Sequence, residues 1–234
     1  MKKIFLLLSI ITLTLQSCSS GDSDNNSNSA VTDIDGNVYQ TVTICNQTWT
    51  KSNLNVSKYR NGDVIPQVTD PAAWSNLTTG AWCYYDNDPA NGAVYGKLYN
   101  WYAVNDPRGL APVGYHVPTE TDWTTLSNCL GIDDLEIFNK MIEPGTTHWT
   151  IPHPEASNSS GFTALPGGFR EGSNGNDYYL GESAQFSCSS LWNYQGMIQP
   201  DSNWIYTLGG GMADSMYFTS GGLKTGFSVR CIKD

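Results

Sequence analysis

Hydrophobic and polar residues alternate near the beginning of the chain as they do in a half-buried β-strand. Residues 38–44 read VYQTVTI, and residues 47–50 read QTWT after a turn at Asn46. The alternation and the β-branched residues predict two strands that form a hairpin. Residues 227–232 (FSVRCI) alternate in the same manner, so they are predicted to form a closing strand.

Apolar residues also recur at helical spacing. In residues 95–104, Leu98, Trp101 and Tyr102 fall on one face. This spacing predicts a first helix, which ends before Pro107 because the residue preceding a proline avoids the α region.

The strongest helix signal follows Pro118, where Thr119 and Asp122 stand at the spacing of a capping box. Gly131 is predicted to end this helix. Its apolar face consists of Trp123, Leu126 and Leu130. The same spacing predicts a further short helix with Leu135, Phe138 and Met141.

The remaining segments have the composition of loops and short strands. Residues 61–80 contain turn residues and two prolines and are predicted as an ordered loop. The chain after Thr146 is rich in Gly, Ser and Asn, with short aromatic segments. Together the elements predict one mixed α+β domain at residues 33–234, and its length of about 200 residues fits a single domain.

The first residues predict export and lipid attachment. Two lysines after Met1 precede an apolar run of about twelve residues, which is too short to span a bilayer. Residues 15–18 (LQSC) resemble the lipobox of bacterial lipoproteins. Residues 1–17 are therefore predicted to be a signal peptide, and Cys18 the acylated residue that anchors the mature chain. An ordinary secreted protein is the alternative.

A tether is predicted between the anchor and the domain. Residues 18–32 lack aromatic and basic side chains, and such a polar stretch is expected to stay disordered. Asp22 and Asp24 resemble the acidic export signal of lipoproteins in Bacteroidota-type bacteria. We therefore expect an outer-membrane lipoprotein that is exposed on the cell surface.

The charge balance restricts the partners. Removal of residues 1–17 takes away Lys2 and Lys3 and changes the formal net charge from −10 to −12. Such a chain lacks the positive charge that nucleic acids and anionic lipid surfaces require. The chain contains 8 Trp and 13 Tyr, so a surface that binds a glycan or protein ligand through aromatic rings is expected instead.

Five ordered motifs carry a family resemblance. They are GAWCYY (80–85), YGKLYNWY (95–102), GYHVPTE (114–120), SGFTALPGGFR (160–170) and GFSVRC (226–231). In this order they resemble the Fibrobacter succinogenes major paralogous domain, which occurs in surface lipoproteins. The chain departs from that family at residues 185–190, where QFSCSS replaces the usual Trp-Trp-Ser-Ser-Thr.

The resemblance covers residues 33–234 and implies a C-type-lectin-like fold. Formylglycine-generating enzymes and the variable receptors of diversity-generating retroelements share this fold. It implies two main helices, a small twisted antiparallel sheet, paired termini and long loops.

Five cysteines follow Cys18, an odd number that leaves at least one unpaired or in an intermolecular bridge in an oxidising compartment. None of them belongs to a metal-binding motif, and the three histidines are not at ligand spacing, so no zinc site is predicted. Cys83 and Cys231 lie in the family motifs, and the resemblance implies a disulfide between them. A second pair, Cys45–Cys129, is predicted, with Cys188 free.

The sequence gives little support for catalysis, and the domain is predicted not to be an enzyme. Residues 114–123 look like a segment of formylglycine-generating enzymes, but Cys188 and Cys231 lack the motif that surrounds the copper-binding cysteines of that family. A Ser/His/Asp hydrolase built on His116 or His148 lacks a nucleophile elbow. Residues 165–168 lack the lysine of a phosphate loop, and nearby Arg170 is interpreted as structural.

No cofactor is predicted; the alternative is calcium, which the resemblance implies as the usual partner of lectin-like loops. Residues 86–88 (DND) and 174–177 (NGND) supply oxygen ligands of the type that calcium prefers. The usual lectin sugar motifs Glu-Pro-Asn and Trp-Asn-Asp are absent. Ordinary turn chemistry explains these two segments equally well.

Aromatic and amide side chains interleave between residues 190 and 225, a composition typical of recognition surfaces. The predicted ligand-binding residues are Trp192, Asn193, Tyr194, Trp204 and Tyr217. Alternatively, Trp204 and Tyr206 pack in the core, and about half of the five aromatic side chains of this region are expected to be buried. The region also occupies the place where the retroelement receptors vary.

These observations predict a surface-anchored lipoprotein with a lectin-like domain that binds an unknown ligand or mediates adhesion. One alternative is a noncatalytic structural component of the outer-surface coat. A formylglycine-generating-type oxidase is a further alternative.

Overall fold

The computed structural model describes residues 29–210 and 214–234. The predicted signal peptide, Cys18, and the acidic residues Asp22 and Asp24 lie outside the described residues, so the lipid anchor stays a prediction. Within the described residues, no helix is both long enough and apolar enough to cross a membrane.

A five-stranded antiparallel sheet contains the first and the last strand of the described chain. Its order is β1 (Ala30–Thr32), β2 (Val38–Ile44), β3 (Gln47–Thr50), β12 (Ile232–Lys233) and β6 (Tyr115–His116). The predicted hairpin of β2 and β3 is confirmed. The predicted tether is corrected at its end, because residues 30–32 pair with β2 and Val31 packs against buried side chains.

Short elements fill the middle of the chain. They are α1 (Pro71–Ser75), β4 (Trp82–Cys83), α2 (Pro89–Tyr95), β5 (Leu98–Tyr99) and α3 (Trp101–Val104). The predicted helix over residues 95–104 is therefore wrong. Gly96 has a φ of 76° and ends α2, and the next residues pair as β5 with β4. A side-chain cap from Asn100 then starts the four-residue α3.

Helices α1 and α2 have a common local cause that the sequence interpretation missed. Asp70-Pro71 and Asp88-Pro89 each place an aspartate at the N-cap and a proline at the first helical position. Aspartate accepts a hydrogen bond from an otherwise unpaired backbone N–H, and proline has no N–H to leave unpaired. Residues 61–80 thus contain a short helix and are not entirely loop.

The two main helices are α4 (Glu120–Leu130) and α5 (Asp134–Met141). Both capping-box hydrogen bonds between Thr119 and Asp122 are present, so the predicted start of α4 is confirmed. Phe138 and Met141 of α5 are buried, but Leu135 is 46% exposed and does not belong to the core face.

The C-terminal half is built from strands. A hairpin of β7 (Gly167–Arg170) and β8 (Asp177–Leu180) precedes a three-stranded antiparallel sheet, in which β10 (Met197–Gly209) lies between β9 (Ser183–Tyr194) and β11 (Met216–Gly222). The long loops predicted between residues 190 and 226 are mostly these strands. The fold is mixed, with few helices, and mostly β.

The closing segment, residues 225–232, is buried throughout. The predicted half-buried alternation is therefore wrong, and only Ile232–Lys233 form a regular strand. Phe227 forms an isolated bridge with Tyr99, and Ser228 with Phe186. The segment therefore holds several sheets together and does not belong to just one of them.

Arg230 anchors the closing segment. Its guanidinium donates to Asn53 Oδ1 at 2.6 Å and to the carbonyl oxygens of Thr50, Phe162 and Thr163 at 2.8–2.9 Å. The side chain is fully buried, and burial lowers the pKa of Arg230 to about 9. All four acceptors are neutral, so these hydrogen bonds, together with the Phe162 ring 4.5 Å from Cζ, offset the cost of desolvating this charge.

One disulfide is present among the described residues. It joins Cys45 and Cys129 across 84 residues, with a Cα–Cα distance of 6.7 Å, and confirms that predicted pair. The predicted Cys83–Cys231 bridge is wrong, because both are free buried thiols that belong to different hydrophobic clusters. Cys188 is free, as predicted.

Candidate functional site

Strands β9 and β10 continue beyond β11 as a two-stranded ribbon, here named the arm (residues 191–201). The first pair between β10 and β11 is Ser202 with Gly222, so the arm has no third strand. Tyr194 pairs with Met197, and the two residues between them, Gln195 and Gly196, have φ values of 50° and 85°. Two positive φ values in a two-residue loop match the twist of a tight hairpin.

The base of the arm is irregular and firmly attached. The register between β9 and β10 shifts on both sides of Asn203, and such bulges bend a ribbon away from its sheet. The buried Asn203 amide donates to Ser187 Oγ at 3.0 Å and to the Cys188 carbonyl oxygen at 3.2 Å. These bonds tie the bulge of β10 to β9 at the base of the arm.

A continuous row of aromatic rings, here named the ring ladder, leads from the core to the arm. Trp123 of α4 stacks on Tyr206 with ring centroids 4.2 Å apart. Tyr206 contacts Phe218 at 5.3 Å, Phe218 contacts Trp204 at 5.6 Å, and Trp204 contacts Trp192 at 4.0 Å. The core end of the ladder is fully buried, whereas Trp204 and Trp192 are half-buried.

The tip of the arm exposes large apolar side chains. Tyr194 is 52% exposed, Met197 61% and Ile198 64%. Tyr194 and Met197 are direct cross-strand partners and therefore lie on one face, as do Asn193 and Ile198 on the other face. No charged residue occurs between positions 183 and 200, although the whole chain carries a formal net charge of −10.

The structure brings together three of the five predicted binding residues. Trp192, Tyr194 and Trp204 share the face that continues the ring ladder, whereas Asn193 is exposed on the opposite face.

Tyr217 lies apart from this group, so its assignment to the same site is corrected. It pairs with Thr207, ten positions along β10 from Met197 and hence roughly 30 Å away along the strand. Its hydroxyl donates to the Gly210 carbonyl oxygen at 3.2 Å.

Of the five aromatic side chains of this region, only Tyr206 is fully buried, fewer than expected. The sequence interpretation also missed Met197 and Ile198, because Gln195-Gly196 is not one of the dipeptides that mark a two-residue hairpin.

A cavity of about 470 Å³ lies at the base of the arm. Its walls come from α1, α3, residues 171–173, the beginning of the β10–β11 pairing and the turn that follows β11. The side chains that face it include Tyr102, Glu171, Asp201 and Lys224.

The two segments that suggested calcium do meet, but around an arginine. The Asp86 backbone N–H donates to Asp177 Oδ2 at 2.9 Å, and Arg170 donates to Asn87 Oδ1 at 3.0 Å. Arg170 is fully buried and also donates to the Thr69 carbonyl oxygen at 2.8 Å, so its guanidinium is the cation of this cluster. No group of three or more His, Cys, Asp or Glu side chains in the described ranges is arranged to hold a metal ion.

The histidines are held by carboxylates. His116 contacts Asp234 through Nδ1 at 2.8 Å and Asp122 through Nε2 at 3.3 Å. Both ring nitrogens are therefore occupied, and neither is available to activate a serine. His148 Nδ1 contacts Glu143 at 2.7 Å. The prediction that the domain is not an enzyme stays a prediction.

The family model for the Fibrobacter succinogenes major domain matches residues 42–233. No curated protein and no solved structure matches the chain.

Proposed function

The chain belongs to the Fibrobacter succinogenes major domain family, and from this premise we propose that it is a surface-anchored lipoprotein whose lectin-like domain binds a ligand through the arm. The lipobox at residues 15–18 supports the anchor. Two main helices, antiparallel sheets, and a shared sheet for the first and last described strands support the lectin-like fold.

The uncharged tip of the arm is the observation that carries the proposal. It presents aromatic and apolar side chains beside the amides of Asn193, Gln195 and Gln199, without a single charge in residues 183–200. Rings stack on the C–H faces of sugars, and amides exchange hydrogen bonds with hydroxyl groups. The ligand class that fits this surface is a neutral, hydroxyl-rich polymer, that is, an uncharged polysaccharide.

The ring ladder explains how an exposed arm stays in position for binding. Trp192 packs on Trp204, which in turn packs on rings of the core. The conformational entropy of these rings is therefore already lost before a ligand arrives, so binding costs less. The arm belongs to the three-stranded sheet, whereas the strand nearest the anchor, β1, belongs to the five-stranded sheet.

Binding of the full-length protein to arrayed neutral and acidic polysaccharides tests this proposal. Tyr194→Ala should weaken binding to a neutral polysaccharide by about 1–3 kcal/mol, or roughly 5- to 150-fold, as expected for a central aromatic contact. Tyr217→Ala is the matched control, since Tyr217 is an exposed tyrosine at the other end of the same sheet, and it should leave binding unchanged.

Three results would contradict the assignment: equal losses in both variants, a preference for acidic polymers, or no binding across the array. The last of these would favour the structural coat component.

The anchor is tested separately. Cys18→Ala should move the protein from the detergent phase to the aqueous phase, because acylation requires that thiol. Unchanged partitioning would refute the lipoprotein assignment.

A further inference from the structure

We propose that the cavity at the base of the arm is a second binding site, and that it takes one hydroxyl-rich, uncharged small molecule of the pyranose type. The volume of about 470 Å³ lies within the range of small-molecule pockets, roughly 300–1,000 Å³. The site is separate from the exposed tip of the arm, so it does not depend on the function proposed for the tip.

The walls of the cavity are tied together by hydrogen bonds from distant parts of the chain. Lys224 Nζ donates to the Ser75 carbonyl oxygen at 2.8 Å, and Trp74 Nε1 donates to the Lys224 carbonyl oxygen at 2.9 Å. The Gly172 N–H donates to Thr225 Oγ1 at 3.2 Å. Because these hydrogen bonds hold the walls in place, the cavity is preformed. Ligand binding therefore costs little conformational entropy of the protein.

The polar groups around the cavity include both hydrogen-bond donors and hydrogen-bond acceptors. Lys224 uses one N–H on Ser75 and has two more to donate. Glu171 accepts from the Ser173 N–H through Oε1 at 3.1 Å, which leaves its second oxygen for a ligand. Asp201 adds an exposed carboxylate at the rim. A ligand that meets both donors and acceptors must itself donate and accept, as hydroxyl groups do.

An aromatic ring completes the site. Tyr102 is half-buried in the cavity wall, beside Leu223, and such a ring is a platform for the apolar face of a pyranose. A cavity of similar volume, about 490 Å³, lies beside α5, but its lining contains no aromatic residue. The ring therefore distinguishes the cavity at the base of the arm from an ordinary surface depression.

The charged side chains that line the cavity disfavour anionic ligands. Glu171 and Asp201 carry two negative charges against the single positive charge of Lys224. An anionic ligand would meet a net repulsion, whereas a neutral ligand uses the three charged groups as hydrogen-bond partners.

The test is calorimetric titration of the full-length protein with methyl pyranosides of glucose, galactose and mannose, and with sodium phosphate and L-alanine as anionic and zwitterionic probes. At least one pyranoside should bind at millimolar concentration, and the other two probes should not. Binding of phosphate or L-alanine alone, or of none of the probes, would overturn the proposal.

Gly222→Leu provides a blocking variant. A Cβ at Gly222 would meet its nearest atom, Thr225 Oγ1, at 3.7 Å, which is an ordinary contact. Leucine at this position should fill the cavity without disturbing the backbone and weaken pyranoside binding by about tenfold or more, with the unfolding temperature unchanged. Tyr102→Ala should weaken binding to a similar extent.

Two controls separate this site from the arm. Ser220→Leu adds the same side chain at an exposed position of β11 that does not line the cavity, and it should leave binding unchanged. Tyr194→Ala removes the tip ring that is proposed to bind polysaccharide, so the pyranoside binding that remains in this variant is that of the cavity. Pyranoside binding that survives Gly222→Leu but is lost in Tyr194→Ala would place the site on the arm and refute the inference.

Discussion

The closing segment and the arm are opposite in almost every physical respect. Residues 225–232 are buried throughout and contain the GFSVRC motif, with Arg230 bonded to four neutral oxygens. The arm is exposed at its tip, has no charged residue before Asp201 at its base, and contains none of the motifs that resemble the family. The motif residues in this comparison build the fold, whereas the proposed binding surface lies where the motifs are absent.

A second family motif, SGFTALPGGFR, also contains an arginine that stabilises the fold. Arg170 ends the SGFTALPGGFR segment, and its side chain is fully buried over the Trp74 ring, 5.1 Å from the centroid. It joins β7 to residues 69 and 87 through hydrogen bonds. A family resemblance based on such residues predicts architecture better than it predicts a ligand.

The largest difference in stability between the closing segment and the arm is expected when the Arg230 side chain is removed. Arg230→Met should lower the free energy of unfolding by about 3–5 kcal/mol, because four buried acceptors lose their donor and the apolar side chain recovers only part of that loss. Urea denaturation measures the change. Tyr194→Ala in the arm is the control and should stay within about 0.5 kcal/mol of the wild type. Similar losses in the two variants would show that the arm belongs to the structural core.

A smaller effect on stability, which depends on pH, is expected beside the second buried arginine, Arg170. Unlike Arg230, Arg170 has a carboxylate nearby, with its Nη1 3.9 Å from Asp177 Oδ2. Burial raises the pKa of Asp177 above its ordinary value of 3.8, against the lowering effect of Arg170 and of the Asp86 backbone N–H. In the interval above pH 3.8, the native state therefore keeps a proton that the unfolded chain releases.

The free energy of unfolding should consequently decrease as the pH rises from 3.8 through the raised pKa of Asp177. Asp177→Asn removes the titrating group and should remove this part of the pH slope. Denaturation midpoints measured across weakly acidic pH test the prediction. A slope that is the same in both proteins would mean that Asp177 does not titrate differently in the folded state.

Local signals predicted local structure well. The β2–β3 hairpin and the beginning of α4 follow from alternation and from a capping box, and both depend on residues close together in the chain. The helix predicted at residues 95–104 failed for a nonlocal reason. Tyr99 exchanges backbone hydrogen bonds with Phe227, and this pairing from the other end of the chain outweighs the helical spacing.

The site was only partly predictable for the same reason. Composition pointed to Trp192, Tyr194 and Trp204, which the β9–β10 pairing brings together. Composition does not reveal register, and so Tyr217 was assigned to a surface from which it is separated by most of a strand. The cavity at the base of the arm is assembled from five distant parts of the chain, and no local pattern in the sequence indicates it.

The three buried thiols have a consequence for how the chain matures. Burial raises the pKa of Cys83 to about 12 and raises the pKa of Cys188 and Cys231 as well. A thiol that stays protonated and enclosed does not react with oxidants or disulfides, so the folded domain protects itself from wrong bridges. The unfolded chain has no such protection in an oxidising compartment. In such a compartment, the yield of native protein depends on whether the core folds before one of these thiols forms a non-native disulfide with Cys45 or Cys129.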